Sequence, residues 1–250
     1  MSDDAPAHID EVVESLRAAF ERDHWINLHR FPVELRNEDG RLVMAGTVEN
    51  VAAKRRARVL AEQMVDGHWP IDDRLRREVV EKQGDRQIRD DVVERLSTES
   101  MFLEYTLGAQ TAGKVETIRD AGPGSYEIII NVDDGAVMLT GSVASLSHRR
   151  FAEALTWWAY GCESVENLLA VMPEEEDSDH EINDAARLVL EKDHTLDADQ
   201  FYLKTSARTV EIQGFAATDM IKKYAVLDVW SIPGVLDVID RVAIQGSEPA

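Results

Sequence analysis

Cysteine is almost missing from these 250 residues. Cys162 stands alone, so no disulfide within the chain can form and no cysteine-rich zinc cluster can be built. Positive charge is scarce as well. Lys and Arg number 27 against 48 Asp and Glu, a formal net charge of −21. That balance excludes a general nucleic-acid binder, which needs basic side chains to displace counterions from phosphates. It also disfavours electrostatic docking on anionic lipid. The deficit grows along the chain, from −4 over residues 1–80 to −7 over 81–172 and −10 over 173–250. Solubility and self-repulsion account for it; a weakly cation-attracting surface is the sharper alternative.

Long apolar runs are lacking too. The longest, near 126–132, has the length of a strand and not of a membrane span. The opening Met1-Ser2-Asp3-Asp4-Ala5-Pro6 has neither a basic nor an apolar leader region, and no lipidation motif is present, so the expected location is the cytoplasm. Signatures of catalysis are missing: there is no G-x-S-x-G, no P-loop, no G-x-G-x-x-G and no H-E-x-x-H. The seven histidines are scattered, with His24 and His194 at matching places beyond a helix, where a helix dipole favours a cation. No catalytic residue, no cofactor and no metal ligand is therefore assigned, and the chain is expected not to be an enzyme. The acidic run Glu174-Glu175-Glu176-Asp177 after Pro173 lacks the spaced carboxylates of a calcium loop and reads as a linker over 173–181.

What the chain does have is repetition. Three amphipathic helices open three similar segments, at Ile9-Asp10-Glu11-Val12-Val13, Ile88-Arg89-Asp90-Asp91-Val92-Val93 and Ile182-Asn183-Asp184-Ala185-Ala186. The first and third end alike, Glu21-Arg22-Asp23-His24 against Glu191-Lys192-Asp193-His194. A hairpin follows each helix. Its turn reads Asp39-Gly40 in the first copy and Asp134-Gly135 in the second, a pairing that supplies the positive φ of a tight turn. The third copy has Ala207-Arg208 there, so a different turn is expected. Gly46, Gly141 and Gly214 mark the second strand of each hairpin, where the chain is expected to bend towards a helix. Alanine follows eleven residues later in each, at Ala57, Ala152 and Ala225. Gly67, Gly161 and Gly234 come next, at the expected cap of that second helix, before a last strand.

The pattern predicts an α+β chain of three tandem αββαβ modules, each a three-stranded mixed sheet covered on one face by two helices. The boundaries are placed at 8–80, 86–172 and 180–245. The second module carries an insertion near 104–125, either idle variation or a functional loop, with a short helix expected around 114–119.

The run Asp134-Gly135-Ala136-Val137-Met138-Leu139-Thr140-Gly141-Ser142-Val143, with the later Gly161 and Val165-Glu166-Asn167-Leu168, resembles the BON domain, named after bacterial OsmY and nodulation proteins. The resemblance implies a non-enzymatic attachment or binding module. It also implies the family's usual associations: phospholipid surfaces, stress protection, chaperone-like roles and potassium-type cation binding. Beside it, the expected partner is a protein or a second copy of the chain, with phospholipid as the alternative and nucleic acid excluded by charge.

Aromatic residues point to where binding is expected. The second helices share an inward stripe: Ala57/Leu60/Ala61/Met64, Ala152/Leu155/Thr156/Ala159 and Ala225/Asp228/Val229/Ile232, in which Asp228 is out of place. Off this stripe lie Phe151, Trp157 and Trp158 in the second copy and Tyr224 and Trp230 in the third, where the first copy has polar residues. Two readings stand: packing between repeats, or an exposed aromatic surface for a partner.

Overall fold

The structure, a computed structural model, describes residues 8–111 and 113–245. Local chemistry accounts for its elements. Helix α1 (Ile9–Arg22) buries Ile9, Val12, Val13, Leu16 and Phe20 at helical spacing. Strand β1 (Val33–Glu38) pairs antiparallel with β2 (Arg41–Val48). Helix α2 (Val51–Val65) then crosses to β3 (Ile71–Arg77), which lies parallel to β2. These elements form one compact unit, Met1–Glu78. Its core joins Leu16 and Phe20 of α1, Leu42 and Met44 of β2, Ala57 and Ala61 of α2 and Leu75 of β3.

The second compact unit spans Val79–Ala250 and holds the same order of elements twice. First come α3 (Asp85–Thr98), β4 (Thr106–Thr111), β5 (Lys114–Arg119), β6 (Glu127–Asp133), β7 (Ala136–Val143), α4 (Leu146–Trp157) and β8 (Ser164–Val171). Then follow α5 (Asp179–Lys192), β9 (Phe201–Ser206), β10 (Thr209–Ala216), α6 (Asp219–Trp230) and β11 (Asp237–Ile244). In both, an antiparallel hairpin continues through a helix into a parallel last strand. The second helix of every module starts from a side-chain cap: Asn50, Ser145 and Thr218 accept from the backbone N–H of Ala53, His148 and Ile221. The class is α+β.

Three expectations are corrected. The second sheet has five strands, in the order β5-β4-β6-β7-β8, because the insertion folds into a hairpin that adds to the sheet edge. Its stretch 114–119 is strand β5 and not a helix, since β4 already offers a free row of backbone groups for it to pair with. Arg119 anchors this hairpin by donating to the carbonyls of Ser97, Phe102 and Tyr105. Next, the third module makes the same kind of turn as the others. Ala207 and Arg208 both have positive φ, 47° and 61°, as Asp39-Gly40 and Asp134-Gly135 do. Asp179 at the start of α5 compensates by accepting from both of their N–H groups at 2.8 Å.

The third correction concerns glycine. Gly46, Gly141 and Gly214 lie near the end of the second strand as expected, but still within its pairing and not at a bend into the helix, with φ of 123°, 119° and 136°. A Cβ there would collide with the carbonyl oxygen of Pro32, Glu127 or Gln200, at the start of the paired strand of the hairpin, so close approach is what demands glycine. The later glycines, Gly67, Gly161 and Gly234, have positive φ but sit in the loop beyond the helix rather than at its cap.

Candidate interaction surfaces

The five aromatic residues singled out from the sequence are mostly interior. Phe151 is fully buried and stacks on Phe102, ring centroids 6.0 Å apart. Trp157 and Trp230 are buried at 3% and 0% exposure. Trp158 is half-buried and donates from Nε1 to Oδ1 of Asp228 at 2.9 Å. Tyr224 alone of the five is exposed, at 40%. Of the two readings of these residues, the burial of Phe151, Trp157 and Trp230 fits packing, and Tyr224 is left exposed. Burial removes the large apolar area of these tryptophans from water, and Trp158 reaches across to the other module through Asp228.

That junction lies within the second unit, where α4 packs against α5. Ser147 donates to Glu181 at one end. Arg150, 3% exposed, donates to the carbonyl of Pro233 and to Asp177 of the acidic linker. Lys192 at the end of α5 donates to Glu99 at 2.7 Å. Asp228 closes the far end: burial first, then the nearby charge of Asp193, pushes its carboxyl well above the usual range. The residue that looked misplaced in an apolar stripe is thus the acceptor for Trp158. Ala185 and Val189 of α5 are both completely buried, beside the shared core positions Ile182, Ala186 and Leu190. One module holds the first helix of the next by a face of its own second helix.

Shifting by 73 residues carries that face from α4 onto α6. Ser147, Arg150, Phe151 and Ala154 become Met220, Lys223, Tyr224 and Leu227. Arg150, Phe151 and Ala154 are buried, whereas Met220 is 62% exposed, Lys223 is exposed and Leu227 is half-buried. Of these four, the aromatic pattern singles out Tyr224; Met220, one turn before it, carries no such signal.

The uncovered sheet faces differ between modules. In the first, Arg36 pairs with Glu34 and Glu38, and Arg74 with Glu38 and Asp72, a lattice under which Val43 is completely buried. Hydrogen bonds from Arg36, ahead of those from Arg74, hold the Glu38 carboxyl below the usual range. In the second, an apolar row crosses the sheet from Val115 over Gly108 to Ile129, Thr140 and Leu168. Val115 and Leu168 remain about half exposed there, at 49% and 53%. A Cβ on Gly108 would lie 2.9 Å from Val115 Cγ1, so the glycine lets neighbouring strands close over it.

Among the described residues, no group of three or more His, Cys, Asp or Glu gathers in a way that would hold a metal ion, and no helix is long and apolar enough to cross a membrane.

The family model described as BON domain matches residues 9–78 and 112–173, more than half of the chain. No curated protein matches it. Among solved structures, one similar chain is the C-terminal domain of CdsD, a structural protein of the type III secretion system of Chlamydia trachomatis. It is 13% identical over 96% of this chain and 98% of that one, with a TM-score of 0.23. A second structure of CdsD is 14% identical over 96% and 93%, with a TM-score of 0.24. Likeness at that level says nothing about what this chain binds.

Proposed function

This chain belongs to the BON domain family, and on that premise we propose that it is a non-enzymatic adaptor of the cytoplasm that holds a protein partner. The observation that supports the reading is the face of α6 bearing Met220, Tyr224 and Leu227. The matching face of α4 already holds a helix within the chain, and the α6 copy is open to solvent. Methionine adapts to varied apolar partners, and tyrosine gives contact area at small entropic cost. Acidity supports a protein over a phospholipid surface, because a chain of net charge −21 is repelled by anionic headgroups.

A photo-crosslinking residue at position 220, introduced in the native host, tests this. Adducts to protein that disappear when Tyr224 is changed to Glu are expected. Co-sedimentation with anionic vesicles that is lost in Met220→Glu, without any protein adduct, would instead make this face a lipid surface.

A further inference from the structure

We propose that the open face of α6 takes the first helix, α1, of a second copy of this chain, so that copies join head to tail. The inference rests on the adaptor reading and names its partner. Three observations carry it.

First, the chain itself displays what this kind of face binds. Within the second unit, the second helix of one module is covered by the first helix of the next. The α6 face is the counterpart of that interface: Met220 and Tyr224 are exposed where Ser147, which donates to Glu181 of α5, is half-buried and Phe151 is buried.

Second, α1 carries the stripe that α5 uses. Aligning Glu21-Arg22-Asp23-His24 with Glu191-Lys192-Asp193-His194 places Glu11, Ser15, Ala19 and Arg22 where α5 has Glu181, Ala185, Val189 and Lys192. On α5 those four end in two polar contacts, to Ser147 and Glu99, with two fully buried small or medium side chains between them. On α1, Glu11, Ser15 and Arg22 are exposed and Ala19 is half-buried. The stripe keeps the acid, the small centre and the base, and it is exposed except at Ala19. Ser15 and Ala19 are small enough to admit Met220 and Tyr224 between turns.

Third, the charges are complementary. Lys223 lies on the α6 face, inside a segment that is otherwise strongly acidic, and Glu11 and Glu14 are exposed on α1. The contact joins two different surfaces, so it is heterologous. Repetition yields open chains, or rings if the rotation closes. A single helix pair buries less than the roughly 1,200–2,000 Å² of a stable standard interface, so assembly is expected to be weak and concentration-dependent.

Two sets of variants of the full chain decide it. Met220→Glu with Tyr224→Glu blocks α6; Ser15→Arg with Ala19→Arg blocks α1. Circular dichroism checks that each folds, and Ser15→Arg alone serves if the half-buried Ala19 does not tolerate arginine. In sedimentation equilibrium the average mass of the unaltered chain is expected to rise with concentration. Each blocked variant is expected to stay monomeric. An equimolar mixture of the two is expected to form dimers and nothing larger, since one open α6 face and one open α1 face survive in the mixture. A monomeric unaltered chain at the highest soluble concentration overturns the proposal, as does a blocked variant that still assembles or a mixture that stays monomeric. If the unaltered chain is monomeric yet position 220 crosslinks to another protein, the adaptor reading survives and self-association does not. Absence of any protein adduct, self included, removes both.

Discussion

Asp228 occupies the position that is Leu60 in the first module and Leu155 in the second. A carboxyl at a leucine position is costly unless it is neutral and hydrogen-bonded. Burial and the charge of Asp193 push the Asp228 carboxyl towards the protonated form, and Trp158 donates to Oδ1. The direction of the shift gives the pH dependence. The folded value lies above the unfolded one, so the native state keeps a proton that the unfolded chain releases. The stabilisation is complete below the ordinary carboxylate range and is lost as pH rises towards the raised value. Asp228→Asn mimics the neutral acid at all pH. It is expected to melt at or above the temperature of the unaltered chain at neutral pH, with a flatter dependence of melting temperature on pH between mildly acidic and neutral conditions. An unchanged slope would mean that Asp228 is ionised when folded. Sequence periodicity marked this residue as an anomaly but not its meaning, because its partner Trp158 lies 70 positions away in another module.

Small devices recur at the scale of the element, and they explain which motifs could be read and which could not. Lys54 donates to Asp73 and to the carbonyl of Leu75; Lys222 donates to the carbonyl of Val242 and pairs with Asp240. In the second module, Arg149 donates to the carbonyl of Asn167, whose side chain returns a bond to the carbonyl of Arg149. Each Asp or Asn also accepts from the backbone two residues on, at Leu75, Leu169 and Val242. A basic residue in the first turn of the second helix thus fastens the last strand. Asp73-Arg74-Leu75 and Asp240-Arg241-Val242 are therefore equivalent, with Asn167 in place of the Asp in the second module. The hairpin turn of the third module was not legible, because its support comes from Asp179 outside the turn. Asp85 does the same for Asp134 and Gly135. Ala207 holds a left-handed conformation that costs a non-glycine residue about 1 kcal/mol, and asparagine adopts it more readily. Ala207→Asn is expected to raise stability by a few tenths of a kcal/mol up to about 1 kcal/mol in urea titration. Asp179→Ala is expected to lower it by about 1 kcal/mol or more, since two N–H groups lose their acceptor. The reverse order of effects would remove the turn from the account.

At the scale of the molecule, the tandem pattern left open how α4 and α5 are joined. Arg150 shows why. The matched positions are Arg55 and Lys223, so by pattern Arg150 is one more basic residue on a helix. In the structure it is 3% exposed and links α4 both to Pro233, beyond α6, and to Asp177 of the linker. The acidic run read from the sequence as solvated linker therefore contributes a ligand to a junction, and its charge is partly matched there. Arg150→Ala leaves a carbonyl and a carboxylate without this donor. Asp177 is partly exposed and can rehydrate, so the cost is expected near the lower end of the roughly 1–3 kcal/mol for a donor lost from a buried site. Arg150→Lys should restore little of it, because one ammonium on a flexible stem does not reproduce the fork that reaches two acceptors. Hydrogen exchange reads where the loss falls. If the junction unites the second and third modules, exchange should quicken together in α4, α5 and α6. If it quickens only across residues 173–181, Arg150 merely tethers the linker, and the two modules of this unit hold together through α4 and α5 alone.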